Sequence, residues 1–110
     1  MEKLEFKAFF YAIGDYSRFS ILSSLSKRGL NVSEIALETG IEQSNVSHHM
    51  KCLLNCGFVR VMRNGKEHVY SINSEIIPII TSIIRHIEKY KKEIISCDIA
   101  DMNYISRMIK

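Results

Sequence analysis

No stretch of this 110-residue chain approaches the roughly 18 to 20 uninterrupted apolar residues that a membrane-spanning helix needs. The longest candidate, Ile76 to Ile87, is broken by Pro78, Thr81, Ser82, Arg85 and His86, so no membrane partner is expected. The start, Met1-Glu2-Lys3-Leu4-Glu5, mixes acids with bases and lacks an apolar run leading to a small-residue cleavage site, which argues against a secretory signal. A cytoplasmic location follows as the expectation. Proline occurs once and charged residues make up 25%, a composition that excludes disordered and fibrous chains. Internal repeats and low-complexity segments are absent. Cysteine occurs three times; an odd number argues against a closed set of internal disulfides, and in the cytoplasm all three should be reduced.

What is present fits one globular domain: 110 residues with 46% apolar content can supply a single core. The net charge of +3 says little, but its distribution says more. Between Gln43 and Ile72 the bases Lys51, Arg60, Arg63 and Lys66 face Glu67 alone, a middle region able to attract a polyanion.

Leu4, Phe6, Phe9, Phe10 and Ile13 predict a first amphipathic helix over about 3–13, stopped by Gly14. Asp15 can cap a second over about 16–27, with Phe19, Leu22 and Leu25 on one face and Lys27-Arg28-Gly29 as its end. Asn31 with Glu34 resembles a capping box for a third helix over about 32–39, stopped by Gly40. A fourth helix, about 43–55, should turn Val46, Met50 and Leu53 inward and end at Gly57. The period then changes to that of a β-hairpin, 58–63 and 66–72 around Asn64-Gly65. Beyond it, Ile76, Ile80, Ile83, Ile87, Tyr90 and Ile94 step by four and three, the seam of a fifth helix that packs lengthwise on another. That partner is either a second copy of the chain or the chain's own core. Ile99, Met102, Ile105 and Ile109, at near-helical spacing, predict an ordered tail with a short sixth helix.

This fold class is mainly α with one hairpin, and helix, short helix, tight turn, helix, hairpin is the order of a winged helix-turn-helix, whose second turn helix enters the DNA major groove. Gln43, Ser44, Asn45, Ser47 and His48 are the candidate reading residues, since amide side chains can pair with adenine and hydroxyls reach phosphates or bases. Polar residues also gather at helix starts merely to cap them, a reading strongest for Ser44. Arg63 and Lys66, at the hairpin tip, would touch the DNA backbone. No nucleophile, base and orienting group can be placed together, so an enzyme is not expected.

Asp15-Tyr16-Ser17-Arg18-Phe19-Ser20-Ile21-Leu22 and Gln43-Ser44-Asn45-Val46-Ser47-His48-His49-Met50 resemble, over roughly 6 to 95, the ArsR/SmtB repressors. The resemblance implies a homodimer formed by the first and fifth helices that binds an inverted-repeat operator in double-stranded DNA and leaves it when an inducer binds. It divides the chain into a DNA-binding and dimerisation domain, 1–95, and a tail, 96–110. The family's third-helix thiolate site is missing, because that helix reads Asn31-Val32-Ser33-Glu34-Ile35, and its fifth-helix zinc site is reduced to a fragment, His86 with Glu88. Cys52 and Cys56 in the fourth helix, with Cys97 forty-one residues later, are similar instead to the cadmium- and lead-responsive CmtR subgroup, in which the third cysteine comes from the other subunit.

At i and i+4 on one helix face, about 5 to 6 Å apart at their β-carbons, Cys52 and Cys56 could share an ion. Three thiolates suit Cd(II) or Pb(II), whereas Zn(II) usually takes a fourth ligand, for which His49 is a candidate. Cysteine also packs as a small apolar residue. Two further readings stay open: a thiol redox switch on the same DNA-binding dimer, and a protein-interaction module that never touches DNA.

Overall fold

In the computed structural model, which describes residues 3–96, the chain divides into two compact units, the first running to Ile77 and the second beginning at Pro78. The first unit holds four helices and a hairpin: α1 (Lys3–Ile13), α2 (Tyr16–Leu25), α3 (Val32–Thr39), α4 (Gln43–Asn55), β1 (Val59–Asn64) and β2 (Glu67–Ile72). A 3-10 turn, Ser74–Ile76, follows, and then α5 (Ile77–Ser96). None of these helices is long and apolar enough to cross a membrane.

The helix boundaries have local causes. α1 ends at Ile13, and Gly14 follows it: its N–H still reaches the Phe10 carbonyl at 2.8 Å, and a Cβ there would stand only 2.6 Å from that oxygen. Asp15 caps α2, accepting from the Arg18 amide at 3.0 Å, and Asn31 with Glu34 forms the reciprocal capping box of α3. α4 ends in a Schellman motif: Phe58 N–H reaches Leu53 O at 3.0 Å and Gly57 N–H reaches Leu54 O at 3.1 Å, with Gly57 at φ 75°.

Two local expectations are corrected. α2 ends at Leu25 with Ser26 as its cap, two residues before the basic segment, and Gly29 has no positive φ. Gly29 serves another purpose: a Cβ there would meet Val69 Cγ1 at 3.2 Å and Tyr70 O at 3.3 Å. This close approach lets Leu30 exchange both backbone hydrogen bonds with Tyr70, at 2.9 and 2.8 Å, which ties the loop before α3 to the hairpin. The hairpin register pairs Asn64 with Glu67, so its two-residue loop is Gly65-Lys66 and not Asn64-Gly65. With φ positive at Gly65 alone, the loop has the Gly-X pattern of a type II′ turn, which places Lys66 at the tip.

Ile21, Leu22, Leu25, Leu30, Ile35, Val46, Met50 and Leu53 form the centre of the first unit, all at or below 1% exposure. Each such side chain contributes about 1.5–3 kcal/mol by leaving water. The inward row of α2 begins one residue before the predicted Phe19: Arg18, Ile21, Leu22 and Leu25 are buried and Phe19 is only half-buried. α1 buries Ala12 and Ile13, while Phe9 meets the Phe58 ring edge to face at 5.3 Å. Its remaining apolar residues stay open, with Leu4 76% and Phe10 62% exposed. In the second unit the seam does not run straight, because Tyr90 (φ −114°, ψ 22°) breaks the helical path of α5. Ile87, Tyr90, Ile94 and Ile95 are exposed along it.

Candidate nucleic-acid interface and thiol pair

α4 follows α3 after the short segment 40–42 and is backed by the core through Val46, Met50 and Leu53. That anchoring turns Gln43, Ser44, Asn45, Ser47 and His48 outward, and all five are exposed. Gln43 donates from Nε2 to Ser33 Oγ at 3.0 Å, a bond between the two helices of the helix-turn-helix. Ser44 Oγ donates to Glu42 Oε1 at 3.0 Å. Across the hairpin, Arg63 Nε donates to His68 Nε2 at 3.2 Å, and Arg63 and Lys66 are both exposed. The turn end of the hairpin is tied to the N-cap of α3: the Asn31 side-chain amide donates to the Glu67 carboxylate.

Behind α4 lies a residue whose burial the apolar pattern did not reveal. Arg18 is 6% exposed, and among the described residues no carboxylate pairs with its guanidinium. Its Nε donates to Ala12 O at 2.8 Å and its Nη2 to Tyr11 O at 2.6 Å, so the cation closes the carbonyl end of α1, where the helix dipole is negative. The Tyr11 ring covers it at 4.6 Å. Nη1 reaches His49 Nδ1 on α4 at 3.5 Å. Arginine can only donate, so a hydrogen bond here needs the neutral His49 tautomer with Nδ1 free; burial, with Arg18 and His48 adding to it against Asp15, holds its pKa below the usual value. The spacing of Asp15, which caps α2, and Arg18 was the available sequence signal for this bond network.

One turn beyond His49, Cys52 is half-buried and Cys56 exposed, both as free thiols. Burial first, then the neighbouring Cys52, pushes the Cys56 thiol up from its ordinary pKa. Among the described residues no group of three or more His, Cys, Asp or Glu side chains is placed to hold a metal ion. The expected third thiolate, Cys97, lies outside the described residues.

Two helices around a tight turn, the second exposed along its polar face, and a hairpin anchored beside them define a winged helix-turn-helix. Comparison with known proteins agrees. Residues 15–61 match the model of the bacterial regulatory protein, arsR family. The arsenical resistance operon repressor of Staphylococcus xylosus is 31% identical over 80 residues, 73% of this chain and 77% of that protein. The chain therefore belongs to the arsR family, a family of regulators and not of enzymes. A probable mercury resistance operon repressor of Streptomyces lividans is 31% identical over 77 residues, and the match spans 70% of this chain but only 62% of that protein. The regulator CmtR of Mycobacterium bovis is 33% identical over 61 residues, 56% of this chain and 52% of that one. Among solved structures, the homodimeric winged helix-turn-helix DNA-binding domain of a possible ArsR-family regulator from Mycobacterium bovis superposes with a TM-score of 0.69, at 21% identity, over 81% of this chain and 82% of that one.

Proposed function

We propose that this chain is a cytoplasmic, metal-responsive transcriptional repressor. A homodimer joined through α1 and α5 holds an inverted-repeat operator, with α4 in the major groove and the hairpin against the backbone. A thiophilic ion such as Cd(II) or Pb(II), bound by Cys52, Cys56 and Cys97, releases it. The observation that carries the reading is that a single helix bears exposed polar residues over its first two turns, one thiol, Cys52, in its last turn and a second, Cys56, as its C-cap.

The first part draws support from the family and from the exposed polar face of α4. Gln43, Ser44, Asn45, Ser47 and His48 would meet bases and phosphates, and Arg63 and Lys66 the backbone. The open apolar stripe of α1 and the exposed isoleucines of α5 are what a dimer would cover. Residues 1–95 would then serve binding and pairing, and 96–110 would bring Cys97 within reach of a site, in the same subunit or across the dimer.

The thiol pair fits a soft ion by its donor chemistry. Two adjacent sulfurs resist becoming thiolates together, and a divalent cation supplies the charge that reverses this. Zn(II) would need a fourth donor, for which His49 is the nearest candidate along the helix. When bound, the ion would tie the last turn of α4 to the tail. The two reading heads must meet half-sites about one helical turn of DNA apart, so a small displacement weakens binding. A preference of about 1.4 kcal/mol for the displaced state lowers operator affinity tenfold, and by reciprocity the operator weakens metal binding equally. Relatives named as repressors of mercury and arsenical resistance operons support an inducer of this soft kind.

Cadmium titration of the dimer on its operator tests the reading. Thiolate-to-cadmium ultraviolet absorption should rise as DNA is released. Cys52→Ser and Cys56→Ser should each remove most of the response and leave metal-free binding intact, since serine keeps the size and loses the soft donor. Mixed dimers, one subunit lacking Cys52 and Cys56 and the other lacking Cys97, keep one complete site only if the tail crosses between subunits. Release at the parent's cadmium concentration in all three single serine variants would overturn the thiolate sensor; release by oxidant, reversed only by reductant, would replace it with a redox switch.

A further inference from the structure

We propose that the entry to α4 selects cytosine in the operator half-site, through the carboxylate of Glu42. The inference rests on α4 being the reading helix.

Glu42 occupies the N-cap of α4, with φ −58° and ψ 141°, yet its side chain makes no capping hydrogen bond. The helix starts at Tyr16 and Val32 are instead served by Asp15 and Asn31. Rather than capping a backbone amide, the Glu42 carboxylate accepts the Ser44 hydroxyl at 3.0 Å, on the exposed surface that also presents Asn45 and Ser47. This bond consumes the one proton that Ser44 could give, so Ser44 shows only lone pairs to a partner. Gln43, between them, spends one of its two amide protons on Ser33. The leading edge of the reading helix is therefore rich in acceptors and carries a full negative charge.

Such an edge is wrong for phosphate and for most base edges. Guanine presents N7 and O6 acceptors to the major groove, and thymine presents O4. All of these repel a carboxylate. The groups that fit are exocyclic amines, cytosine N4 and adenine N6. Adenine sets an acceptor, N7, beside its amine and is best read by a side chain carrying both a donor and an acceptor, such as an amide; cytosine offers the amine alone. A carboxylate, with acceptors only, matches cytosine. The same charge lies where the amides of a helix N-terminus would otherwise favour a phosphate, so Glu42 lowers affinity for duplex in general while sharpening choice among sequences.

The test uses the full-length dimer and its Glu42→Gln variant, each run through selection from a randomised duplex library and then through fluorescence anisotropy on the selected site and its single-base-pair substitutions. The parent should select a C·G pair at one position of each half-site, and replacing that pair should cost about tenfold in affinity. Glu42→Gln, which keeps size and removes charge, should flatten that one position, keep the remaining preferences, and bind random duplex as tightly as the parent or more tightly. Because Glu42 is exposed, unchanged thermal unfolding is expected and separates a reading effect from a folding one. An unaltered cytosine preference in the variant, or a parent site with no cytosine preference, would overturn the assignment. A parent that binds no duplex at low salt would overturn the DNA-binding reading itself, an outcome distinct from binding without cytosine choice.

Discussion

The two halves of α4 differ in almost every physical respect. Its first half, from Gln43 to His48, buries Val46 alone and is otherwise polar, exposed and joined to its neighbours by surface hydrogen bonds such as Gln43 to Ser33. The second half buries Met50 and Leu53, touches Arg18 through His49, and is locked at its end by a Schellman motif. Under the proposed function, the difference lets one 13-residue helix carry DNA contacts at its start and thiols at its end without either compromising the other. The outward residues can vary freely because the inward ones already fix the helix, and under the proposed function a displacement of the anchored end would move the reading end with it.

The comparison breaks most sharply at the anchored half. Leu53 is fully buried, and Leu53→Ala should lower unfolding free energy by about 2–5 kcal/mol, through lost transfer energy and the cavity left behind. Chemical denaturation checks this, and a loss no larger than that of an exposed substitution such as Leu37→Ala would show that the second half is not the anchor. Arg18→Ala ranks next, at about 1–3 kcal/mol, because it leaves the Ala12 and Tyr11 carbonyls without their donor.

In the reading half the effects should fall on binding and spare stability. Asn45→Ala should cost about 1–3 kcal/mol of discrimination at one base pair, and Lys66→Ala should weaken all sequences alike and flatten the dependence on salt by about one unit of charge. Anisotropy over a salt series distinguishes them. If neither substitution changes operator affinity, these residues do not form the interface.

Much of this architecture was legible in the sequence because local chemistry dictated it. Asp15 and the Asn31–Glu34 pair announce helix starts, Gly57 a helix end, and Val46, Met50 and Leu53 the inward face of α4; each depends on neighbours within a turn. What escaped depends on distant partners. Gly29 was read as a helix cap, yet the Leu30–Tyr70 bridge, forty residues apart, is what requires a glycine there. The hairpin loop shifted by one residue because cross-strand pairing of Asn64 with Glu67, and not dipeptide preference, sets the register. Arg18 eluded an apolar-period search since a charged side chain breaks the pattern it belongs to. The thiol pair was visible as an i, i+4 spacing, but spacing alone leaves open where the third donor comes from.

The smallest predicted effect lies where the two halves of α4 meet. A neutral His49 can accept from Arg18, whose Nη1 lies 3.5 Å away, and burial holds its pKa below the ordinary histidine value of about 6.5. The unfolded chain therefore binds a proton that the folded chain refuses in the interval between the two pKa values. Stability from this residue is fully present above about pH 6.5 and is lost as pH falls through that interval toward the lowered folded value. Protonation would also set a second cation against a guanidinium that has no carboxylate partner among the described residues. His49→Gln offers an uncharged oxygen to the same donor and should flatten the fall in thermal midpoint below pH 6.5 while leaving the profile above it unchanged. Parallel profiles for parent and variant across that range would mean that His49 titrates alike in both states and that its contact with Arg18 does not hold it neutral.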